Sequence, residues 1–254
     1  MAAMIALFTD FGVCDPYVGQ MHAVLAREAP GVPVIDLLHE VPQHDTRSGA
    51  CLLPALAAEF PAGTVLVCVV DPGVGGPRRP LALELDGSWY VGADNGLFTL
   101  AARWAQRRRA FEIGWRPQRL SATFHGRDLF APVAARLLTG RDAGLEPCDL
   151  EDPGPQDWPD DPPRVVYIDH YGNVMTGVRA RNVAGGARVH AGGRTLEAAD
   201  TFGSVARGEA FWYANSIGLL ELAVNQGSAA DALGLRIGDE IEVSPRPPGR
   251  GSSE

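Results

Sequence analysis

The strongest constraint on this chain is the alternation, through its first half, of short apolar runs with longer stretches of helical periodicity. Met4–Thr9 is followed by Val18–Glu28, and Val34–Leu38 by Thr46–Phe60. Thr64–Val70, Leu81–Leu85 and Trp89–Gly92 are then followed by Leu97–Arg109. Strands that alternate with helices assemble into an α/β fold with a mostly parallel sheet and helices on both faces, because each parallel return needs a long crossover. The run Val65–Val70, apolar at every position, has the pattern of a strand buried on both sides. A further helix is expected over Leu129–Leu138, after a turn at His125–Asp128.

The texture changes after Leu145. The stretch DPGPQDWPDDPP at residues 152–163 is too rich in proline for helix or central strand. This predicts an N-terminal α/β domain over 1–150, a Pro/Asp-rich linker over 151–163, a smaller C-terminal domain over 164–245 and a disordered tail over 246–254. The pieces Arg164–Ile168, Arg188–His190, Phe211–Ala214, Leu219–Ala223 and Ile241–Val243 read as strands between glycine-rich turns, so the second domain is expected to be mainly antiparallel β.

Composition removes several function classes. All 22 basic residues are arginine, against 31 acidic ones, for a net charge of -9. Without lysine there is no Schiff-base amine and no phosphate-loop lysine. The one basic cluster, Arg107–Arg109, falls at the end of an expected helix, and nucleic-acid binding is not expected. Cys14, Cys51, Cys68 and Cys148 form no C-x-x-C pair and read as reduced thiols. With no apolar run of about 18 residues and no leader-like N-terminus, a cytoplasmic protein with no membrane partner is expected. The six histidines show no metal-ligand spacing, and there is no G-x-S-x-G elbow.

Several expected strands end in a polar residue: Asp10, His39, Asp71 and the pair Asp94-Asn95. Ligands of open α/β sheets bind at the carboxyl ends of strands, although Asp and Asn also end strands as turn formers. Asp71 opens the glycine-rich loop Asp71-Pro72-Gly73-Val74-Gly75-Gly76-Pro77-Arg78, which lacks the pattern of a dinucleotide site. Arg78 can fold back on Asp71, either as a structural ion pair or as part of a site. His125 is either a cap before its helix or, if the fold carries it to Asp71, a partner in holding and deprotonating a water. In the second domain, Asp169–Asn173 and Tyr213–Gly218 are turn segments in which Tyr171 offers a stacking face and Asn173 an amide edge, the needs of a purine.

Six motifs, in order, give a more specific resemblance: Thr9-Asp10-Phe11-Gly12; Asp71-Pro72-Gly73-Val74-Gly75 with Arg78; Asp94-Asn95-Gly96-Leu97; Thr123-Phe124-His125-Gly126-Arg127-Asp128; Asp169 to Asn173; and Asn215-Ser216 followed by Leu222-Ala223-Val224-Asn225. In these the chain resembles the S-adenosylmethionine (SAM) hydroxide adenosyltransferase family, relatives of the SAM-dependent fluorinase and chlorinase. The resemblance implies an N-terminal α/β domain, a C-terminal β-barrel-like domain and a homotrimer with sites between subunits. It also implies conversion of SAM and water to adenosine and L-methionine, with SAM as substrate, no cofactor and no metal.

By motif matching, Asp71, Arg78 and His125 would organise the water, a trio the halogenating relatives lack. Asp10 would bind the ribose hydroxyls, Asp169 and Ser216 the methionine portion, Tyr171 and Asn173 the adenine, and Asp15 the methionine amino group. Asn95 is a further substrate-binding candidate. Two departures bear on the methionine end: Ile217 stands where the fluorinase has an arginine, and the Asp169–Asn173 loop is one residue shorter than in that enzyme. The alternatives to a hydrolase are a SAM-dependent halogenase and a nucleoside- or SAM-binding module without turnover.

Overall fold

The structure is a computed structural model, described here for residues 4–150 and 158–245. The chain divides between Trp158 and Pro159 into two compact units. Residues 151–157 of the expected linker and the expected tail, 246–254, lie outside the described residues.

The first unit is built on a seven-stranded sheet. Its strands are β1 (Ile5–Thr9), β2 (Val34–Leu38), β3 (Val65–Val69), β4 (Pro80–Leu85), β5 (Ser88–Ala93), β6 (Arg108–Ile113) and β7 (Leu145–Pro147), in the order β2-β1-β3-β5-β4-β6-β7. The pairs β2/β1, β1/β3 and β3/β5 are parallel, and the pairs made by β4, β6 and β7 extend the sheet antiparallel. β1 and β3 are buried at every position, as two-sided strands must be. Ile5, Leu7, Val65, Val67 and Val69 face α1 (Pro16–Glu28) and α4 (Ala131–Thr139). The other face receives α2 (Thr46–Ala57), whose Gly49 lies against Phe8.

Local signals explain these helices. α1 starts with Asp15 in extended backbone and Pro16 in its first turn, where a missing N–H costs nothing, and it buries Met21, Val24 and Leu25 on one stripe. At the start of α2, the Asp45 carboxylate accepts the Ser48 N–H at 3.0 Å. Between β3 and β5 the backbones come so close that a Cβ on Gly92 would lie 2.3 Å from the Cys68 carbonyl oxygen.

The expected helix Leu97–Arg109 is shorter than its periodicity suggests. α3 covers only Thr99–Trp104, and Arg108 and Arg109 belong to β6. The Asp86 carboxylate, at the tip of the β4–β5 hairpin, accepts the Gln106 and Arg107 N–H groups and draws the chain onto the sheet. The arginine cluster is therefore the exposed start of a strand rather than a helix terminus.

The second unit is mainly antiparallel. One sheet orders β12 (Ala210–Ala214), β13 (Leu219–Val224), β9 (Val174–Arg179) and β8 (Val165–Ile168), and the other orders β11 (Arg194–Leu196), β10 (Arg188–Ala191) and β14 (Glu242–Ser244). A short helix, α5 (Ala229–Leu233), follows β13. Isolated bridges, Ala198 to Trp212 and Arg164 to Glu240, and a few backbone hydrogen bonds around them join the edges of the two sheets. The barrel implied by the resemblance is thus an open pair of sheets, since isolated bridges leave both seams without a continuous ladder. Asp161, from the end of the proline-rich stretch, accepts three hydrogen bonds from Arg179, at 2.9, 2.7 and 2.7 Å.

Candidate active site

The carboxyl end of β3 releases the chain into the glycine-rich loop, and the loop folds back. Both oxygens of Asp71 lie 3.1 Å from Nε of Arg78, and Nη2 of Arg78 adds a second, shorter contact to Oδ2. The same Nη2 lies 2.9 Å from Nδ1 of His125. The Asp71 and Arg78 side chains are only 4% and 11% exposed, so solvent screens this pair weakly.

Two features bring His125 to the pair across 47 residues of chain. Gly75 has φ of +80° and approaches Ala122 so closely that a Cβ would lie 2.7 Å from its carbonyl oxygen. His125 itself caps a π-helical turn, Gly126–Phe130, in which the Ala131 N–H reaches back five residues to Gly126. Such turns carry one residue more than the α-helix and recur at functional sites. Arg127 braces the turn, donating to Asp128 and to Gln20 of α1, with its guanidinium 4.9 Å from the Phe124 ring.

The hydrogen bond to His125 settles its tautomer. Arginine only donates, so Nδ1 is the acceptor and Nε2 carries the hydrogen of a neutral ring. Burial, and then the Arg78 charge, lower the affinity of this imidazole for a proton, against a smaller opposing pull from Asp71.

Asp71 and His125 face a cavity of about 270 Å³ that is also lined by Asp10, Phe11, Asp15, Tyr17, His44 and Phe124. Phe11, Tyr17 and Phe124 form a wall of rings with centroids 5.5 to 5.6 Å apart. The backbone N–H of His44, a non-glycine residue at φ of 61°, donates to Asp10 Oδ2 at 3.0 Å. Three carboxylates and three aromatic rings favour a cationic ligand with apolar groups attached.

Of the expected site residues, Asp10, Asp15, Asp71 and His125 share this cavity, and Arg78 adjoins it through Asp71. Asn95 does not line it: its amide bridges Val70 O at 2.8 Å and the Leu97 N–H at 3.3 Å. In the second unit, Asp169, Tyr171 and Asn173 occupy the β8–β9 turn. The Asp169 carboxylate accepts the N–H groups of Tyr171 and Asn173 and the Asn173 side-chain amide, at 2.9, 2.8 and 2.9 Å. Tyr171 is 76% exposed.

Ser216, also exposed, lies in the β12–β13 turn, which Asn215 holds by accepting the Ile217 and Leu219 N–H groups. Pairing of Leu222 with Val174 and of Leu219 with Arg179 puts the two turns at opposite ends of the ladder. Between them lies Glu221, 2% exposed, which accepts from Tyr213 Oη at 2.5 Å and from Asn215 Nδ2 at 2.8 Å. Among the described residues no group of three or more His, Cys, Asp or Glu is placed to hold a metal ion.

The sequence motifs contained Phe11 and Phe124 without marking them as walls. Val74 stood in the glycine-rich motif, likewise unmarked; Tyr17, on the first turn of α1, and Gln43 and His44, in the loop before α2, carried no signal.

Family models for the N-terminal and C-terminal domains of SAM hydroxide adenosyltransferase match residues 5–145 and 163–242. The chain belongs to the SAM hydroxide adenosyltransferase family. Within that family it is 43% identical, over 94% of its length and 98% of the relative's, to the (R)-S-adenosyl-L-methionine hydrolase of Thermus thermophilus. A fluorinase from Actinopolyspora mzabensis is more distant, 24% identical over 95% of this chain and 97% of its own. The crystal structure of an uncharacterized conserved protein from Thermotoga maritima superposes with a TM-score of 0.81 at 33% identity, covering 95% of this adenosyltransferase-family chain and all of the other.

Proposed function

We propose that the protein hydrolyses SAM to adenosine and L-methionine by attack of water on the ribose C5′. The observation that carries this reading is the contact of Asp71, Arg78 and His125 at one end of a carboxylate-lined and ring-lined cavity, in a chain whose close relative is named a SAM hydrolase.

The sulfonium is already a good leaving group, so the protein has to align a nucleophile opposite the C5′–S bond and draw off a proton. Asp71, an acceptor only, takes a hydrogen from the water while Arg78 neutralises its charge. His125 donates from Nε2 to the same oxygen and fixes its direction of attack. The C5′–O bond forms as the C5′–S bond breaks, methionine leaves as a neutral thioether, and the water's proton passes through Asp71 to solvent. Alignment and a preorganised polar site are the large contributions in such a displacement. Asp10 binds the ribose hydroxyls, and Asp15 faces the ammonium group. Asp169 and Ser216 take the methionine portion, and Tyr171 and Asn173 the adenine. A homotrimer with sites between subunits, working in the cytoplasm, belongs to the same proposal. No described helix is long and apolar enough to cross a membrane.

A halide has no hydrogen to give the acceptor-only Asp71 carboxylate and would meet its oxygens acceptor to acceptor, which favours water. Incubation with SAM in isotopically labelled water, with and without chloride, tests the reading by mass spectrometry. Labelled adenosine in both samples is the expected product. A chlorinated nucleoside, or adenosine binding without product, would overturn it.

The state of His125 sets an acid limit. Its proton affinity is lowered below the ordinary value of 6.5, and protonation would turn Nδ1 into a donor facing another donor. We expect kcat/KM to be level from about pH 7 to 8 and to fall with a midpoint below 6.5. Stability shifts with the same sign: the unfolded chain takes up the proton near 6.5 and the native ring resists it. The contribution of His125 is therefore complete above 6.5 and is lost as pH falls toward its lower native value. An acid midpoint above 6.5 would rule out the neutral ring as the working form.

A further inference from the structure

A second polar chain lies behind the cavity wall. Thr9, fully buried at the end of β1, accepts the Phe11 backbone N–H on Oγ1 at 3.2 Å, and the same oxygen lies 2.8 Å from Nδ1 of His39. Nε2 of His39, a residue only 6% exposed, is 3.0 Å from Asp36 Oδ1, which Nε2 of His22 also approaches at 2.7 Å. A carboxylate accepts, so both Nε2 atoms carry hydrogens. Neutral His39 then has one acceptor, Nδ1, and the Thr9 hydroxyl has one hydrogen to give it. In this arrangement every polar atom from Phe11 N–H to Asp36 is satisfied.

His39 also holds the same segment by its backbone. Its carbonyl accepts the Gly12 N–H at 2.7 Å, and the Val41 N–H donates to Thr9 O at 3.2 Å. The segment Thr9–Gly12 is thus fixed at several points, and it supplies Asp10 and Phe11 to the cavity.

We propose that His39 is a positioning residue for the Asp10–Phe11 wall, acting through the Thr9 hydroxyl and oriented by Asp36. The kinetic part of this inference rests on the hydrolase reading. Asp71, Arg78 and His125 come from other segments, so loosening this wall weakens substrate binding and leaves the reacting groups in place.

The test compares Thr9→Val, His39→Leu and His39→Asn with wild type, after far-UV circular dichroism has shown them folded. In Thr9→Val and His39→Leu, amide exchange at Phe11 and Gly12 is expected to quicken about tenfold while exchange in α2 stays unchanged, the loss of one buried hydrogen bond. KM for SAM is expected to rise about tenfold with kcat within about twofold. His39→Asn, whose side-chain oxygen reaches the place of Nδ1, is expected to recover most of both. Unchanged exchange at Phe11 and Gly12 would overturn the proposal, and so would faster exchange with unchanged KM, the mark of a merely structural residue. If the wild-type protein hydrolyses no SAM, the hydrolase reading falls, and the calorimetric dissociation constant for SAM takes the place of KM beside the exchange measurement.

Discussion

Asp71→Asn is expected to lower kcat on SAM by about 10²- to 10³-fold, the scale of a lost proton acceptor in the transition state. The substitution keeps the shape of the side chain and one acceptor oxygen for Arg78, and removes the negative charge that receives the water's proton. The cavity walls are untouched, so the dissociation constant for SAM is expected to stay within about threefold. Arg78→Met should show a comparable loss of turnover, because Asp71 then remains buried without a counter-charge and the His125 tautomer is no longer fixed. Single-turnover measurement beside calorimetric binding separates the two quantities. Turnover by Asp71→Asn near the wild-type rate would remove Asp71 from proton transfer.

The largest expected effect on stability falls at Gly92. A Cβ there would lie 2.3 Å from the Cys68 carbonyl oxygen and 2.9 Å from the Phe98 ring, and the first of these is backbone that cannot rotate away. Gly92 pairs with Cys68 on β3 and with Leu81 on β4, in the middle of the sheet. Gly92→Ala must therefore spread the strands and is expected to cost about 3 kcal/mol, at the upper end of overpacking effects. In a chain of this size that corresponds to a fall in Tm of roughly 6–12 °C. A melting temperature within a degree of wild type would mean that the β3–β5 pair is looser than its register implies.

The parallel part of the fold was legible because its signal is local. β1 and β3 are continuous apolar runs, and two-sided burial demands that pattern. The end of α3 was not legible, because the Asp86 carboxylate that ends the helical run lies 20 residues earlier in the chain. The apolar spacing from Leu97 to Ala102, followed by arginines, looks like an ordinary helix with cations at its end. β9 and β11 were missed for a similar reason, since their pairing partners rather than their composition define them. In the candidate site, the Asp71 loop and the His125 turn each stood out, but their meeting depends on the bare backbone of Gly75 against Ala122. The Asp169–Asn173 turn was visible as a motif. The use of its carboxylate to build the turn was not, because an aspartate that shapes a loop and one that meets a ligand have the same spelling.

The π-helical turn after His125 ties the site to the core by a matter of phase. Ala131, Val133 and Ala134 face the sheet at angles set by where the following helix begins. Each residue of helix turns that direction by about 100°. Deleting any one residue between Gly126 and Phe130 would return the segment to ordinary winding, and either the imidazole or the apolar stripe would then face the wrong way. The count from His125 to Ala131 is therefore one that both the chemistry and the packing fix.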